Sequence, residues 1–559
     1  MFLKRNSQRN KDGTMREYVY LAKSVRQGKR VIQQTVASLG RLDELAKGDT
    51  FENLAKKFAE FSGKLDVLNL ENDLLGEDSQ EIGRVWAYRK LWEQLGFATI
   101  FKSRFADKHT QFDLSETLLA LVTHRLTDPS SKRGMLNWKD GVYEPRWEAL
   151  QLQHVYRAMD YLMEEKEAFE QAVFKNTVDL FSQKLDVVML DSTSLVHWGD
   201  GAHSTLLKHG YSKDRRGDLR QIVVGVLMTQ EGVPIAHEVF SGNQVDVKNF
   251  PKMIEQLKTK YAINEVVVVA DKGMMSPDNM VDLHHKGYKF IVGVRLKGRS
   301  SEWVDPLVTA QGFAPIIRTD DKELDVKDIV RMETLEYDRD KRGRPQQSKE
   351  LKLRYVVCHN LIRDKEQKER RAYFRKILLE KIPFSSVKSW FKQSGYRKYV
   401  KVKGDNIRLA VDEERLKDEE KFDGMWAVVT NWFDLPSRDI VTHYKGLRRV
   451  EDGFKSLKSD LEIGPMFHWT SNRIRAHVFV CFLALLLKIA FQKKVQATFP
   501  HLNVSDLLHD VKRLSVLRLT LPNKRVHLRS QLHGNAYKAF QALGVQPPPK
   551  FLKLEPINL

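Results

Sequence analysis

The sequence predicts an α/β protein: a mixed β-sheet flanked by helices, carrying a β-rich insertion and preceded by a mostly helical N-terminal region. Three observations predict it. Runs dense in Val and Ile at Leu185–Leu190, Arg220–Met228, Pro234–Phe240, Glu265–Ala270 and Tyr288–Val294 read as strands buried on both faces. A helical pattern from about Gln80 to Lys184 precedes them. The strand rhythm is lost in a charged stretch between about Ser300 and Lys421 and returns at Met425–Thr430.

Taken in order, Tyr18–Leu39 reads as a hairpin with a polar turn near Gln27-Gly28, ended by Gly40. The helical region contains Ser115–Val122, an apolar-rich segment that precedes the break at Pro129. Among the strands, Asn249–Lys260 has helical character. The charged stretch holds a turn at Gly343-Arg344-Pro345, a strand at Leu351–Cys358 and a basic-faced alternation at Arg397–Lys403. After Pro436 a long helix is expected. The boundaries are 1–75 for the hairpin and linker, 76–184 for the helical region and 185–299 for the first part of the sheet. The insertion covers 300–424, the second part of the sheet 425–495, and a C-terminal region, a candidate for dimerisation, 496–559. There is no internal repeat of fixed period.

The 559 residues carry 93 Lys and Arg against 73 Asp and Glu, a formal charge of +20 and a pI near 9.5. The charge is spread along the chain rather than confined to one amphipathic helix, so nucleic acid is a better partner than a membrane surface. If about 8 phosphates are neutralised, affinity falls by roughly 10³ to 10⁵ between 50 and 200 mM salt. Two cysteines, Cys358 and Cys481, exclude a disulfide framework and a Cys-based zinc site, and fit a reducing cytosol. The start, Met1-Phe2-Leu3-Lys4-Arg5, lacks the apolar core of a secretory signal. The longest apolar run, Val478–Leu487, has 10 residues and ends at Lys488. That is short of the ~20 needed to span a bilayer, so it reads as a buried helix with no membrane role. No Gly-Lys-Ser/Thr phosphate loop is present, so no ATP site is expected.

Asp191 follows the strand ending at Leu190, and Asp271 follows the strand ending at Ala270. Functional groups gather at the carboxyl ends of strands in α/β sheets, so the two can converge. Taken alone, each is more often an ordinary turn-forming or helix-capping Asp. The segment Arg438–Ser459 projects as an amphipathic helix, with Leu447, Val450, Phe454, Leu457 and Leu461 in one stripe. Tyr444, Arg448, Glu451, Lys455 and Lys458 form a second stripe beside it. With the first stripe packed on the sheet, Glu451 approaches the two aspartates. The alternative is a solvated face laced by ion pairs. Carboxylates 4 Å apart repel by roughly 4 kcal/mol per pair at an effective dielectric of ~20, so three of them call for cations. Hard oxygen ligands suit two Mg²⁺ ions, which Mn²⁺ can replace, and such a pair serves phosphodiester chemistry.

This order of parts resembles the DDE transposases of bacterial insertion sequences, whose catalytic core is ribonuclease-H-like. It looks like the subgroup bearing a Tyr-Arg-Glu-Lys signature on the helix of the catalytic Glu. Tyr444, Glu451 and Lys458 keep that signature's seven-residue spacings (451 − 444 = 7; 458 − 451 = 7). The family's Arg lies three residues after the Tyr, where this chain has Leu447. Arg448, one residue on, falls on the face of Glu451. Asp191-Ser192-Thr193 and Ala270-Asp271-Lys272-Gly273 resemble the two aspartate motifs. The likeness runs from the N-terminal hairpin to about residue 495, and a β-rich insertion before the Glu is what the subgroup carries.

The resemblance implies Asp191, Asp271 and Glu451 as catalytic and metal-holding residues, and Tyr444, Arg448, Lys455 and Lys458 as DNA contacts. It implies a substrate consisting of the element's terminal inverted repeats and target DNA, and a homodimer to hold two ends together in a cytoplasmic, nucleoid-associated setting. An aromatic stacking on a displaced base is also implied, with Trp303, Trp390 and Trp432 as candidates, although Trp is more often core. Arg- and Lys-rich 341–376 suits phosphate contacts, or is a solvated surface. His197 and His203 show no zinc spacing and are expected to lie outside the site. Two alternatives remain: a nuclease of the same fold that only hydrolyses, and a non-catalytic DNA-binding descendant.

Overall fold

The structure is a computed structural model and describes residues 1–28, 30–62, 75–181, 187–199, 204–210, 212, 216–244, 254–255, 267–271, 273, 276–319, 322–340, 342–382, 397–403, 408–521 and 524–556. The expected helix Asn249–Lys260 lies outside these apart from Ile254 and Glu255. Leu185, Asp186, His203, Glu265, Val266, Lys272, Lys341 and Trp390 also lie outside them. The chain forms two compact units, one of Met1–Ser79, Val516–Ser530 and Pro549–Leu559, the other of Gln80–Ser515 and Gln531–Pro548.

In the first unit, strands Met15–Gln27 and Arg30–Arg41 form the expected hairpin. At the turn Gln27 faces Arg30 and Gly28 takes φ +59°, a left-handed conformation suited to glycine. A third strand, Phe2–Arg9, pairs with Met15–Gln27. Its polar, almost wholly exposed sequence gave periodicity nothing to register. A four-stranded sheet of Leu75–Glu81, Ser515–Leu521, Lys524–Arg529 and Phe551–Pro556 completes the unit.

The second unit is built on nine strands: β1 (Val187–Val196), β2 (Gln221–Thr229), β3 (Pro234–Ser241), β4 (Val267–Ala270), β5 (Lys289–Val294), β6 (Ala314–Thr319), β7 (Lys322–Arg339), β8 (Pro345–Asn360) and β9 (Met425–Thr430). They form one mixed sheet in the order β6-β7-β8-β9-β5-β4-β1-β2-β3. β1, β4 and β5 are mutually parallel neighbours, and the other pairings are antiparallel. The segment β3-β2-β1-β4-β5 is the mixed sheet expected over 185–299. The strand-like Val/Ile runs have both faces covered, as that composition requires.

Region 300–424 is rich in strands, yet β6, β7 and β8 continue the main sheet through β9 rather than standing apart from it. Leu351, Leu353, Tyr355 and Val357 of β8 join one hydrophobic core with Phe290, Val292 and Val429, so burying their apolar face requires docking on the sheet. The charged stretch also holds a 21-residue helix, Leu361–Lys381, started by Asn360, whose side chain accepts from Arg363 N–H. Arg397–Lys403 splits into one 3₁₀ turn, Arg397–Tyr399, and a short strand, Val400–Lys403.

Three helices matter below: α1 (Leu114–Thr127), α2 (Ser437–Lys455) and α3 (Ser471–Thr498). Asp113 caps α1 by accepting from Glu116 N–H. α3 is 28 residues long, and its most apolar 18-residue window has a mean hydropathy of 2.1 and is 83% buried inside the protein. Its length and composition match a membrane span, but packing against protein accounts for its apolar surface. α3 also runs through the expected boundary at residue 495, and the segment beyond it is shared between the two units.

Candidate active site

Strand periodicity decides which side chains can meet. In β1, Val188 and Leu190 enter the core on one face, as do Val268 and Ala270 in β4 and Phe290 and Val292 in β5. Side chains alternate along a strand, so Met189, Asp191, Val269, Asp271, Ile291 and Gly293 project to the opposite face. That face receives α2. A Cβ added at Gly446 of α2 would lie 2.7 Å from Met189 Cε, and one at Gly453 2.5 Å from Met228 Cε. The two glycines let the helix lie close on methionines of β1 and β2.

α2 starts where expected, directly after Pro436. Its apolar stripe is buried: Leu447, Val450, Phe454, Leu457 and Leu461 are all between 0 and 8% exposed. Each such side chain contributes roughly 1.5–3 kcal/mol of burial. The helix end passes into a single π-turn, Ser456–Asp460, in which Leu461 N–H reaches back to Ser456 O at 2.9 Å. Its start is held by Arg354 of β8, which donates to Leu435 O at 2.6 Å, Phe433 O at 3.0 Å and Ser437 Oγ at 2.8 Å. Asp328 of β7 accepts from both Arg354 and Ser437. These strands of the insertion therefore position the helix.

Leu190 pairs with Ala270 in parallel register, so Asp191 and Asp271 occupy corresponding places on adjacent strands. Neighbouring strands lie about 4.8 Å apart. Asp191 is half-buried and accepts from Ser192 N–H at 2.7 Å, while Asp271 is exposed. Tyr444 of α2 crosses to this pair. Its hydroxyl faces Asp271, and burial, then the charges of Asp271 and Glu451, raise its pKa well above the usual value for a phenol. It therefore stays protonated, a fixed donor within electrostatic reach of both carboxylates. Its ring stacks on Trp426 of β9 at 5.5 Å and 22°. A Cβ at Gly293 would lie 2.2 Å from the Tyr444 hydroxyl, so glycine there makes room for it.

Glu451, Arg448 and Lys455 are exposed on α2, and Lys458 is half-buried in the π-turn. Leu447, at the position of the signature's Arg, is 8% exposed and belongs to the packing stripe. Among the described residues, no three His, Cys, Asp or Glu side chains stand close enough to share one ion. The structure thus brings Asp191, Asp271 and Tyr444 together with Glu451 nearby, without closing the three carboxylates on a common point. The donor set, carboxylate oxygens only, fits a hard divalent cation.

Trp303 packs on the core, with its Nε1–H donating to Glu333 at 3.1 Å, and Trp432 stacks on His443 at 6.4 Å. In the basic run, Arg371 pairs with Asp423, Arg375 with Glu413 and Lys368 with Asp364, so part of its charge is already balanced. His197 is fully buried at the end of β1. Sequence reasoning missed Gly293, Trp426 and Arg354. A glycine inside the strand Phe290–Val294 was the available sign of a close approach.

The arrangement is a mixed sheet with two aspartates at matching strand positions, faced by a helix bearing a tyrosine and a glutamate. Residues 182–487, more than half of the chain, match the family described as Transposase DDE domain, and the chain belongs to that family. Residues 3–71 match the IS1634 family transposase, N-terminal domain. No curated protein matches the sequence. A solved structure, Mos1 transposase paired-end complex with left transposon end, is 11% identical over 33% of this chain and 59% of that chain. Its TM-score is 0.13, too slight a likeness to bear on the fold.

Proposed function

We propose that this transposase acts on an insertion sequence, binding its terminal inverted repeats, cleaving the DNA strands there and joining the freed 3′-hydroxyls to target DNA. In this reading Asp191, Asp271 and Glu451 hold two Mg²⁺ ions, replaceable by Mn²⁺, in the manner of the Tyr-Arg-Glu-Lys subgroup. Bound there, the ions supply activation of water or a 3′-hydroxyl and stabilisation of the leaving oxygen. The chain's own groups do the rest. The backbone pairing of β1 and β4 fixes the aspartate spacing. Tyr444 faces Asp271 and aims its carboxylate. Arg448, Lys455 and Lys458 follow on the same helix face and grip phosphates. Regions 1–75 and 76–184 are assigned to binding DNA ends, a homodimer holds two ends at once, and the setting is the cytoplasmic nucleoid.

The observation that carries this reading is the parallel register that puts Asp191 beside Asp271 under α2. The test uses linear DNA bearing the element ends, with Mg²⁺. Asp191→Ala, Asp271→Ala or Glu451→Gln should each lower cleavage by roughly 10³-fold or more, equivalent to about 4 kcal/mol of barrier. End binding in a gel-shift assay should persist. Unchanged cleavage in any of the three removes that residue from the site. A precut end that never appears joined to target DNA would reduce the activity to hydrolysis.

A further inference from the structure

Beyond Asp191, β1 continues to Val196, and His197 bridges to Met466. Met466 N–H donates to Val196 O and Trp198 N–H to Met466 O, each at 3.0 Å. This stitching lies roughly 20 Å of extended chain from Asp191. The segment Glu462–His468 pinned in this way forms one wall of a cavity of about 190 Å³. The other walls come from Arg125 of α1, the loop Ser130–Lys132, Tyr156 and His477 of α3. One water needs only about 10–15 Å³, so the space takes a larger guest.

Two cations of the lining are buried, whereas Glu462, its acid, is exposed. Arg125 is 5% exposed and Lys132 3%, and neither forms an ion pair with a described residue. Arg125 donates to Ser130 O at 2.7 Å and Glu462 O at 3.4 Å, leaving Nε without a partner among the described residues. Lys132 Nζ lies 3.5 Å from His477 Nδ1, and His477 Nε2 lies 3.1 Å from Ile463 O. A carbonyl accepts only, so Nε2 carries the imidazole proton and Nδ1 accepts from Lys132. The other two hydrogens of that ammonium have no described partner. Ser131 Oγ accepts from Gly134 N–H at 2.9 Å, which leaves its own hydrogen to donate. Burial and Arg125 pull the Lys132 pKa down to about 7, the mark of a cation held without counter-charge.

Burying two cations without an anion is unfavourable, and a guest that supplies the missing charge relieves it. Both heads lie below the surface, so an internal phosphodiester of a duplex is poorly shaped to reach them, whereas a protruding terminal phosphate or a free ion is well shaped to do so. Phe467, 60% exposed at the rim, offers a face to a base attached to such a phosphate. We propose that this cavity is a phosphate pocket, with Lys132 and Arg125 as charge partners and Ser131 as hydroxyl donor, that takes a terminal phosphate monoester or inorganic phosphate. Its strand-end form rests on the DNA-cutting reading above, and the pocket itself does not.

Full-length protein melted in phosphate, against chloride at equal ionic strength, should gain about 1–3 °C in Tm. Lys132→Met and Arg125→Gln, with folding verified by circular dichroism in phosphate-free buffer, should lose that gain. In a second arm, a labelled single-stranded oligonucleotide with a 5′-phosphate should bind about fivefold tighter than its 5′-hydroxyl twin. Lys132→Met should erase that preference, and Phe467→Ala should weaken the oligonucleotide while sparing inorganic phosphate. A Tm gain without a 5′-phosphate preference assigns the pocket to the free ion. Wild-type protein indifferent to phosphate in both arms, or a folded Lys132→Met variant that keeps both effects, overturns the proposal whether or not the protein cuts DNA.

Discussion

The two ends of β1 solve opposite electrostatic problems. At Asp191 the strand contributes to a group of carboxylates that are half-buried or exposed, faced by one half-buried tyrosine. Around His197 and the Met466 bridge, buried Arg125 and Lys132 sit among His124, His468 and His477. The acidic end lies toward solvent, where the proposed reading puts its cations. The basic end can keep its cations only by holding its imidazoles neutral. Burial and the two nearby cations lower His468 to about 3, His124 to about 2 and His477 well below its usual value.

This contrast predicts its largest effect in acid. An unfolded chain takes up protons on these histidines near pH 6.5, whereas the folded protein resists until far lower pH. The stability they confer is therefore complete above about pH 6.5 and drains away as pH falls toward the folded values. Each contributes a slope of about 1.4 kcal/mol per pH unit. Chemical denaturation at pH 7.5 and 5.0 should show a loss of several kcal/mol. His477→Gln should flatten the profile, and equal stability at both pH values would refute the account.

A smaller effect separates two glycines at the acidic end. Gly293→Ala forces a methyl against the rigid Tyr444 ring and should lower cleavage about tenfold, or about 1.4 kcal/mol of barrier, with melting little changed. Gly446→Ala meets only the flexible end of Met189, and its helix propensity gains up to about 1 kcal/mol. Its cleavage should stay near wild type. If the two variants behave alike, close approach by Tyr444 is not what positions Asp271. The smallest effect concerns exposed cations on α2. Arg448→Ala and Lys455→Ala should each reduce the slope of log affinity against log salt by about 1 for DNA ends. An unchanged slope would move the DNA path off this face.

How far the sequence could be read follows the same division. The strands around Asp191 and Asp271 were legible because uninterrupted Val/Ile runs have few other uses, and α2 because both of its stripes repeat at helical spacing. The insertion's union with the sheet was not legible. β8 buries apolar residues on both faces at its end, Leu353, Tyr355 and Val357 on one and Val356 and Cys358 on the other, and nothing local says what covers them. The Arg354 anchor was hidden because a charged run looks like surface until its acceptors, the carbonyls of Phe433 and Leu435, are known. The basic pocket was invisible for a different reason. Arg125, Lys132, His468 and His477 come from segments more than 300 residues apart, and each is unremarkable where it stands.

The register between β1 and β4 acts as a ruler. Backbone hydrogen bonds set the gap between the two aspartates, and no side-chain substitution rewrites them. The third acidic group rides on a helix seated on two thioethers, Met189 and Met228, among the most compliant side chains available. In the proposed reading, any accommodation between cations of different radius must therefore come from sliding that helix, with the strands serving as the fixed jaw of the vise.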